Sequence, residues 1–104
     1  AMDDLQLLAK DTRTLYGAEA KYLVALQWYN AGNYASAEKE ILNFIDQSTP
    51  YAYWLARSFI LLSDVYVAMD KKLDARQYLL SLQQNYHADD DIERMIQERL
   101  EKLK

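Results

Sequence analysis

Cysteine is absent from this chain, and histidine, proline and glycine are scarce, with one, one and two residues among 104. Without cysteine, the chain cannot form disulfides, thiolate nucleophiles or the usual structural zinc sites. A single histidine also argues against the common Ser-His and Cys-His catalytic pairs. We therefore expect a protein that is not an enzyme and that holds no metal or other cofactor.

The chain also has few basic residues and no long apolar run. Its 12 Lys and Arg against 16 Asp and Glu give a net charge of -4, which disfavours nucleic acid and anionic membrane surfaces. No stretch is typical of a membrane span or a signal peptide. Because Met2 follows Ala1, we interpret the start as a tag remnant on a fragment of a longer protein. The absence of cysteine is compatible with either the cytoplasm or the periplasm as the location of the protein.

Hydrophobic residues make up 51% of the chain, which is enough for a core in one domain spanning 1–104. The shortage of turn residues and the abundance of helix formers predict an all-α fold. Gly17, Gly32 and the Ser48-Thr49-Pro50 start signal divide the periodic segments. About six helices result. The first is predicted at 3–15, the second from 18 to the Gly32 turn, and the third from that turn up to about Pro50. A fourth helix follows Pro50, the fifth lies at 72–86 and the sixth at 89–104.

An internal repeat relates the two central turns. The pattern Gly32-x-Tyr34-x-x-Ala37 aligns with Asp70-x-Lys72-x-x-Ala75 at an offset of 38 residues. At the same offset, four apolar or small positions match, namely Ala25 with Ser63, Trp28 with Tyr66, Ile41 with Leu79, and Phe44 with Leu82. The repeating unit is therefore a pair of helices.

This pattern resembles the tetratricopeptide repeat (TPR), in which a small residue and an aromatic precede a Gly-x-aromatic-x-x-Ala turn. Residues 18–50 fit one repeat, and residues 51–87 fit a second that has Asp70 and Lys72 where Gly and an aromatic are usual. The helix at 3–15 would end a preceding repeat, and 89–104 would be a C-terminal capping helix. The resemblance implies antiparallel hairpins stacked as a short right-handed superhelix. The sequence of residues 53–86 is similar to the C-terminal repeats of large bacterial proteins of the Bacteroides type.

The TPR resemblance implies that the first helix of each repeat lines a concave groove. Carried onto this sequence, the groove positions are Glu19, Tyr22, Leu26, Tyr29 and Asn30 in the first repeat and Arg57, Ile60, Asp64, Val67 and Ala68 in the second. Tyr22, Leu26 and Tyr29 form one helical stripe, which we expect to be exposed and suited to gripping a peptide. Removing the two tyrosine rings should then cost little stability.

Two features that suggest metal or catalytic chemistry have simpler explanations. His87 has no companion ligands at a recognised spacing, so we interpret it as a loop residue. The run Asp89–Asp91 would need Gly at position 94 and Glu at position 100 to form an EF-hand, but the chain has Arg94 and Leu100. Helix-start electrostatics explains the acidic run.

Two functions remain after these exclusions. The first is a non-enzymatic scaffold that binds a peptide or protein segment on its concave groove. The alternative is an architectural C-terminal end of a larger repeat protein, with possible self-association through exposed terminal helices. In that case the aromatic stripe would be covered by another segment or by a second subunit.

Overall fold

The computed structural model describes residues 1–104 and contains six α-helices and no strand. They are α1 Met2–Leu8, α2 Leu15–Asn30, α3 Tyr34–Asp46, α4 Ala52–Ala68, α5 Lys72–Asn85 and α6 Ile92–Lys102. The prediction of an all-α fold with about six helices in stacked hairpins is confirmed. None of these helices combines the length and apolar character needed to span a membrane.

The turns of the two central hairpins have the same backbone geometry. Gly32 has φ of 77°, and beyond it the Asn33 amide donates to the Trp28 carbonyl at 2.9 Å. In the second hairpin Asp70 has φ of 60°, and the Lys71 amide donates to the Tyr66 carbonyl at 2.7 Å. Both are Schellman endings, which need one left-handed residue after the helix. Asp70 takes the role of Gly32 because aspartate tolerates this conformation better than most residues do.

The residues that match at the 38-residue offset are buried in both hairpins. Ala37 and Ala75 are fully buried, and so are the small residues Ala25 and Ser63 of the facing helices. Small side chains at these positions let the paired helices approach closely. The larger matched residues Ile41, Phe44, Leu79 and Leu82 are buried beside them.

The first predicted helix boundary is wrong. A helix was expected over 3–15 and a break at Gly17, but α1 ends at Leu8 and Gly17 lies in the first turn of α2. The Thr14 hydroxyl accepts a hydrogen bond from the Gly17 amide at 2.9 Å and caps α2. Glycine is needed at position 17 because a Cβ there would lie 1.8 Å from the Asp11 carbonyl oxygen.

The start of α4 also differs from the prediction. Pro50 was expected in the first helical turn, but it precedes the N-terminal boundary residue Tyr51, and α4 begins at Ala52. The reason is a tertiary contact, since the Thr49 hydroxyl donates to the Thr12 carbonyl at 2.6 Å. This contact ties the α3–α4 connection to the turn after α1.

The last helix begins at Ile92 rather than at residue 89. The Asp90 carboxylate accepts a hydrogen bond from the Ile92 amide at 2.9 Å, so the acidic run forms the turn that precedes α6. Ile92 and Ile96 pack in one buried cluster with Ile60 of α4 and Leu79 of α5. The helix therefore covers the end of the second hairpin.

The two glycines provide a test of these turn assignments. We expect Gly17→Ala to lower the free energy of unfolding by about 3 kcal/mol, because backbone atoms of Asp11 occupy the space of the new methyl group. Gly32→Ala should cost only about 1 kcal/mol, since its site is open and only the left-handed conformation is strained. Urea unfolding of both variants measures which of them loses more free energy of unfolding. An equal loss in the two variants would contradict the close approach at Gly17.

Candidate binding groove

A groove of about 930 Å³ opens where the C-terminal halves of α2, α4 and α6 meet. We call it the α4–α6 groove. Its apolar side chains include Tyr29 from α2, Val67 from α4, and Leu103 just after α6. Its other lining residues are Ser63, Asp64, Ala68, Lys72, Glu98, Arg99, Glu101 and Lys102.

The structure places four of the residues predicted from the sequence in this groove. Tyr29 contributes from the first repeat, and Asp64, Val67 and Ala68 contribute from the second. Val67 and Ala68 are exposed, while Tyr29 and Asp64 are half-buried. Part of the predicted surface is therefore one continuous concavity.

Tyr22 and Ile60 were expected on the exposed concave surface, and that expectation is wrong. Tyr22 is only 6% exposed and Ile60 only 1%. Tyr22 packs with the core shared by α2 to α5, and Ile60 packs against α6. Both are covered because the next helix of the stack lies over the side chain that a single hairpin would expose.

The other predicted positions also lie outside the groove lining. Leu26 is half-buried against the core of the two hairpins. Glu19 is half-buried and Asn30 is exposed, but neither lines the cavity. The sequence stripe on α2 therefore divides into a buried part around Tyr22 and an accessible part around Tyr29.

Arg57 lies in an aromatic cluster that connects α2, α4 and the start of α6. Its guanidinium carbon is 5.1 Å from the Tyr22 ring centre and 5.8 Å from that of Tyr53. It donates to the Tyr53 hydroxyl at 2.9 Å and to the Tyr22 hydroxyl at 3.2 Å. A third ring, Trp54, lies 5.6 Å from Tyr22. Cation–π attraction and two hydrogen bonds thus hold the positive charge against the rings.

The Tyr53 hydroxyl continues this network to α6 by donating to the Asp91 carboxylate at 2.9 Å. Burial raises the pKa of Tyr53, and the hydrogen bond to Asp91 acts in the same direction because it favours the protonated phenol. Arg57 was predicted to face a ligand. In the structure its polar contacts instead fasten the beginning of α6 to α4.

Asp64 and Arg99 form the second polar connection between α4 and α6. The Arg99 Nε donates to Asp64 Oδ1 at 2.9 Å, and a second guanidinium nitrogen donates to Oδ2 at 3.0 Å. Both side chains are about one-quarter exposed, so this two-bonded pair is less screened by water than a surface ion pair. It fixes the wall of the α4–α6 groove.

Tyr29 lies close to this ion pair. Burial raises the pKa of the Tyr29 hydroxyl, and the negative charge of Asp64 raises it further. The hydroxyl is therefore a neutral hydrogen-bonding group throughout the physiological range. It can donate to a polar atom of a bound partner while its ring offers an apolar face.

Sequence reasoning missed the contribution of α6 and of Lys72. Arg99, Lys102 and Leu103 line the groove, although the 89–104 segment was predicted only to cap the stack. The four-residue spacing of Ile92, Ile96 and Leu100 indicates the buried face of α6. Nothing in the sequence shows that Arg99 meets Asp64, because that pairing depends on how α6 lies across α4.

Replacing Tyr22 and Tyr29 separately distinguishes the buried part of the stripe from the accessible part. We expect Tyr22→Ala to lower the free energy of unfolding by about 3 kcal/mol or more, because it empties a core position and removes a partner of Arg57. Tyr29→Ala should cost less, about 1 kcal/mol, since the ring is only half-buried at the edge of the core, where it packs beside Tyr34. Thermal and urea unfolding of the two variants provide the comparison. Equal losses would contradict this division.

The groove combines charged residues with the apolar side chains of Tyr29, Val67 and Leu103, which we call its apolar floor. No group of three or more His, Asp or Glu side chains is arranged to hold a metal ion. No family model, no curated protein and no solved structure matches this chain.

Proposed function

We propose that this chain is a non-enzymatic, TPR-like scaffold that binds a peptide or protein segment in the α4–α6 groove. The observation that carries the proposal is that accessible apolar groups from α2, from α4 and from Leu103 just after α6 border one concavity of about 930 Å³. Tyr29, Val67 and Leu103 offer apolar contact area, and charged side chains line the same groove. A concavity that combines apolar contact area with charged side chains is typical of surfaces that bind polypeptides.

The carboxylates of the groove support binding rather than catalysis. Asp64 is paired with Arg99, and Glu98 is paired with Arg94 at 2.9 Å. Glu101 lies 3.2 Å from the Lys104 ammonium group. Ion pairs of this kind are the usual arrangement of carboxylates on a solvated helix face, so none of the three requires a catalytic role.

The TPR assignment is part of the proposal and is supported by the two hairpins. Equivalent residues 38 positions apart form equivalent turns and occupy equivalent buried positions. A bacterial origin follows only from the sequence resemblance. The net charge of -4 argues against nucleic acid as the partner.

Ala68→Arg tests groove binding. Ala68 is exposed and lines the groove, so a long charged side chain should block the concavity with less than about 0.5 kcal/mol loss of stability. We expect photo-crosslinking from position 67 in a lysate of the source organism to give discrete protein adducts that disappear in this variant. Ala35→Arg is the matched control, because Ala35 is also exposed on a helix but lies outside the groove. Adducts that persist in Ala68→Arg, or fail to form at all, would contradict the proposal.

The alternative function, an architectural end of a larger repeat array, is favoured by a second observation. Four of the six large apolar side chains that remain exposed lie around α1 and the start of α2. They are Leu7, Leu8, Leu15 and Tyr16, with exposed fractions of 68%, 51%, 47% and 70%. Repeat arrays need polar surfaces at free ends, so this end is suited to contact with another repeat or a second copy.

Sedimentation velocity measures self-association through this apolar end. If a second copy covers it, the chain should dimerise, and Leu8→Glu together with Tyr16→Glu should restore a monomer. Leu73→Glu is the control, because Leu73 is 82% exposed on α5 and distant in sequence from this end. A wild-type chain that stays monomeric at high concentration would rule out self-association by this surface.

A further inference from the structure

Ion pairing in and around the α4–α6 groove is incomplete. The three acidic residues that line it each lie within ion-pair distance of a basic residue: Asp64 with Arg99, Glu98 with Arg94, and Glu101 with Lys104. Lys72 and Lys102 also line the groove, but neither lies within 4.0 Å of a carboxylate. Two ammonium groups therefore remain without a partner beside the apolar floor.

Among the residues that line the groove, Lys72, Arg99 and Lys102 equal the three acidic residues in number. Because Glu98 and Glu101 already pair with Arg94 and Lys104 from outside the lining, Lys72 and Lys102 are the charges left unpaired. The two lysines come from different helices, with Lys72 at the first residue of α5 and Lys102 at the last residue of α6. The apolar side chains of Val67 and Leu103 border the same concavity. A ligand that fits must combine negative groups with apolar groups along one face.

We propose that the segment bound in the α4–α6 groove is an acidic, amphipathic polypeptide. Its carboxylates meet Lys72 and Lys102, and its apolar side chains cover Tyr29, Val67 and Leu103. This proposal rests on the proposed scaffold function and adds the chemistry of the partner. Complementary charge at a rim speeds association and selects partners, while the apolar floor supplies most of the contact area.

A carboxylate partner fits these lysines better than a nucleic acid does. Nucleic acids bind through extended basic surfaces that neutralise several phosphates, whereas this groove offers two free lysines next to three acidic side chains. Two carboxylates on one side of a peptide would be enough to pair with the ammonium groups of Lys72 and Lys102. The apolar floor would have no counterpart in a phosphate backbone.

The test selects short random peptides displayed on phage against the full chain. Selected peptides are then synthesised with a fluorescent label, and their binding is measured by polarisation. We expect Asp and Glu to be enriched together with apolar residues, and affinity to fall as salt concentration rises. The double variant Lys72→Glu, Lys102→Glu should bind these peptides about tenfold more weakly or worse. Replacing Glu by Gln in the peptide should have a similar effect.

The matched control is Lys10→Glu with Lys39→Glu, which changes the net charge equally at two exposed lysines outside the groove. These substitutions should leave peptide affinity within about twofold. Peptides that bind without acidic enrichment, or that bind the Lys72 and Lys102 variant as tightly as wild type, would overturn the acidic-partner proposal. If such peptides are still blocked by Ala68→Arg, the scaffold function stands. Peptides that bind the Ala68→Arg variant as tightly as wild type would overturn both proposals.

Discussion

The close approach of helices at Ala37 and Ala75 is the contact on which the rest of the structure depends. Each alanine is fully buried, and so is a small residue of the preceding helix, Ala25 in the first hairpin and Ser63 in the second. With the backbones this close, the larger residues Ile41 and Leu79 reach the same depth in their hairpins. The two hairpins therefore have similar shapes and can stack on each other.

Stacking determines which side chains remain accessible. Once α4 lies over α2, Tyr22 becomes a core residue and its hydroxyl accepts a hydrogen bond from Arg57. Once α6 lies over α4, Ile60 is buried and Asp64 is paired with Arg99. The side chains that remain accessible lie toward the C-terminal ends of α2 and α4, where Tyr29 and Val67 border the groove. Packing and binding thus use different parts of the same helices.

Polar contacts hold α6 in one defined position, whereas apolar packing alone would specify its position less strictly. Arg57 and Tyr53 connect α4 to Asp91, which precedes α6, and Asp64 connects α4 to Arg99 in the last turn of α6. These contacts fix both the angle and the register of α6. Since the groove is bounded by the end of this helix, its shape depends on the same contacts.

Much of the fold could be predicted from local sequence. Helical periodicity, scarce turn residues and the repeated turn pattern indicated the hairpins and the buried positions Ala37 and Ala75. The errors lay at the helix starts, where long-range contacts override local signals. Gly17 is typical of a break, yet Thr14 caps a helix that runs through it. Pro50 is typical of a first turn, yet the Thr49 contact with Thr12 moves the start of α4 to Ala52.

The sequence by itself determined the helical class, the pairing of neighbouring helices and four of the 11 residues that line the groove, because these depend on spacing within one or two helices. Only the tertiary structure decided that Tyr22 and Ile60 are buried and that Arg99 faces Asp64. It also left Lys72 and Lys102 without a carboxylate within 4.0 Å. The physical reason is that burial and ion pairing depend on the angle and register at which separate helices cross, and these are set by contacts between residues distant in the chain.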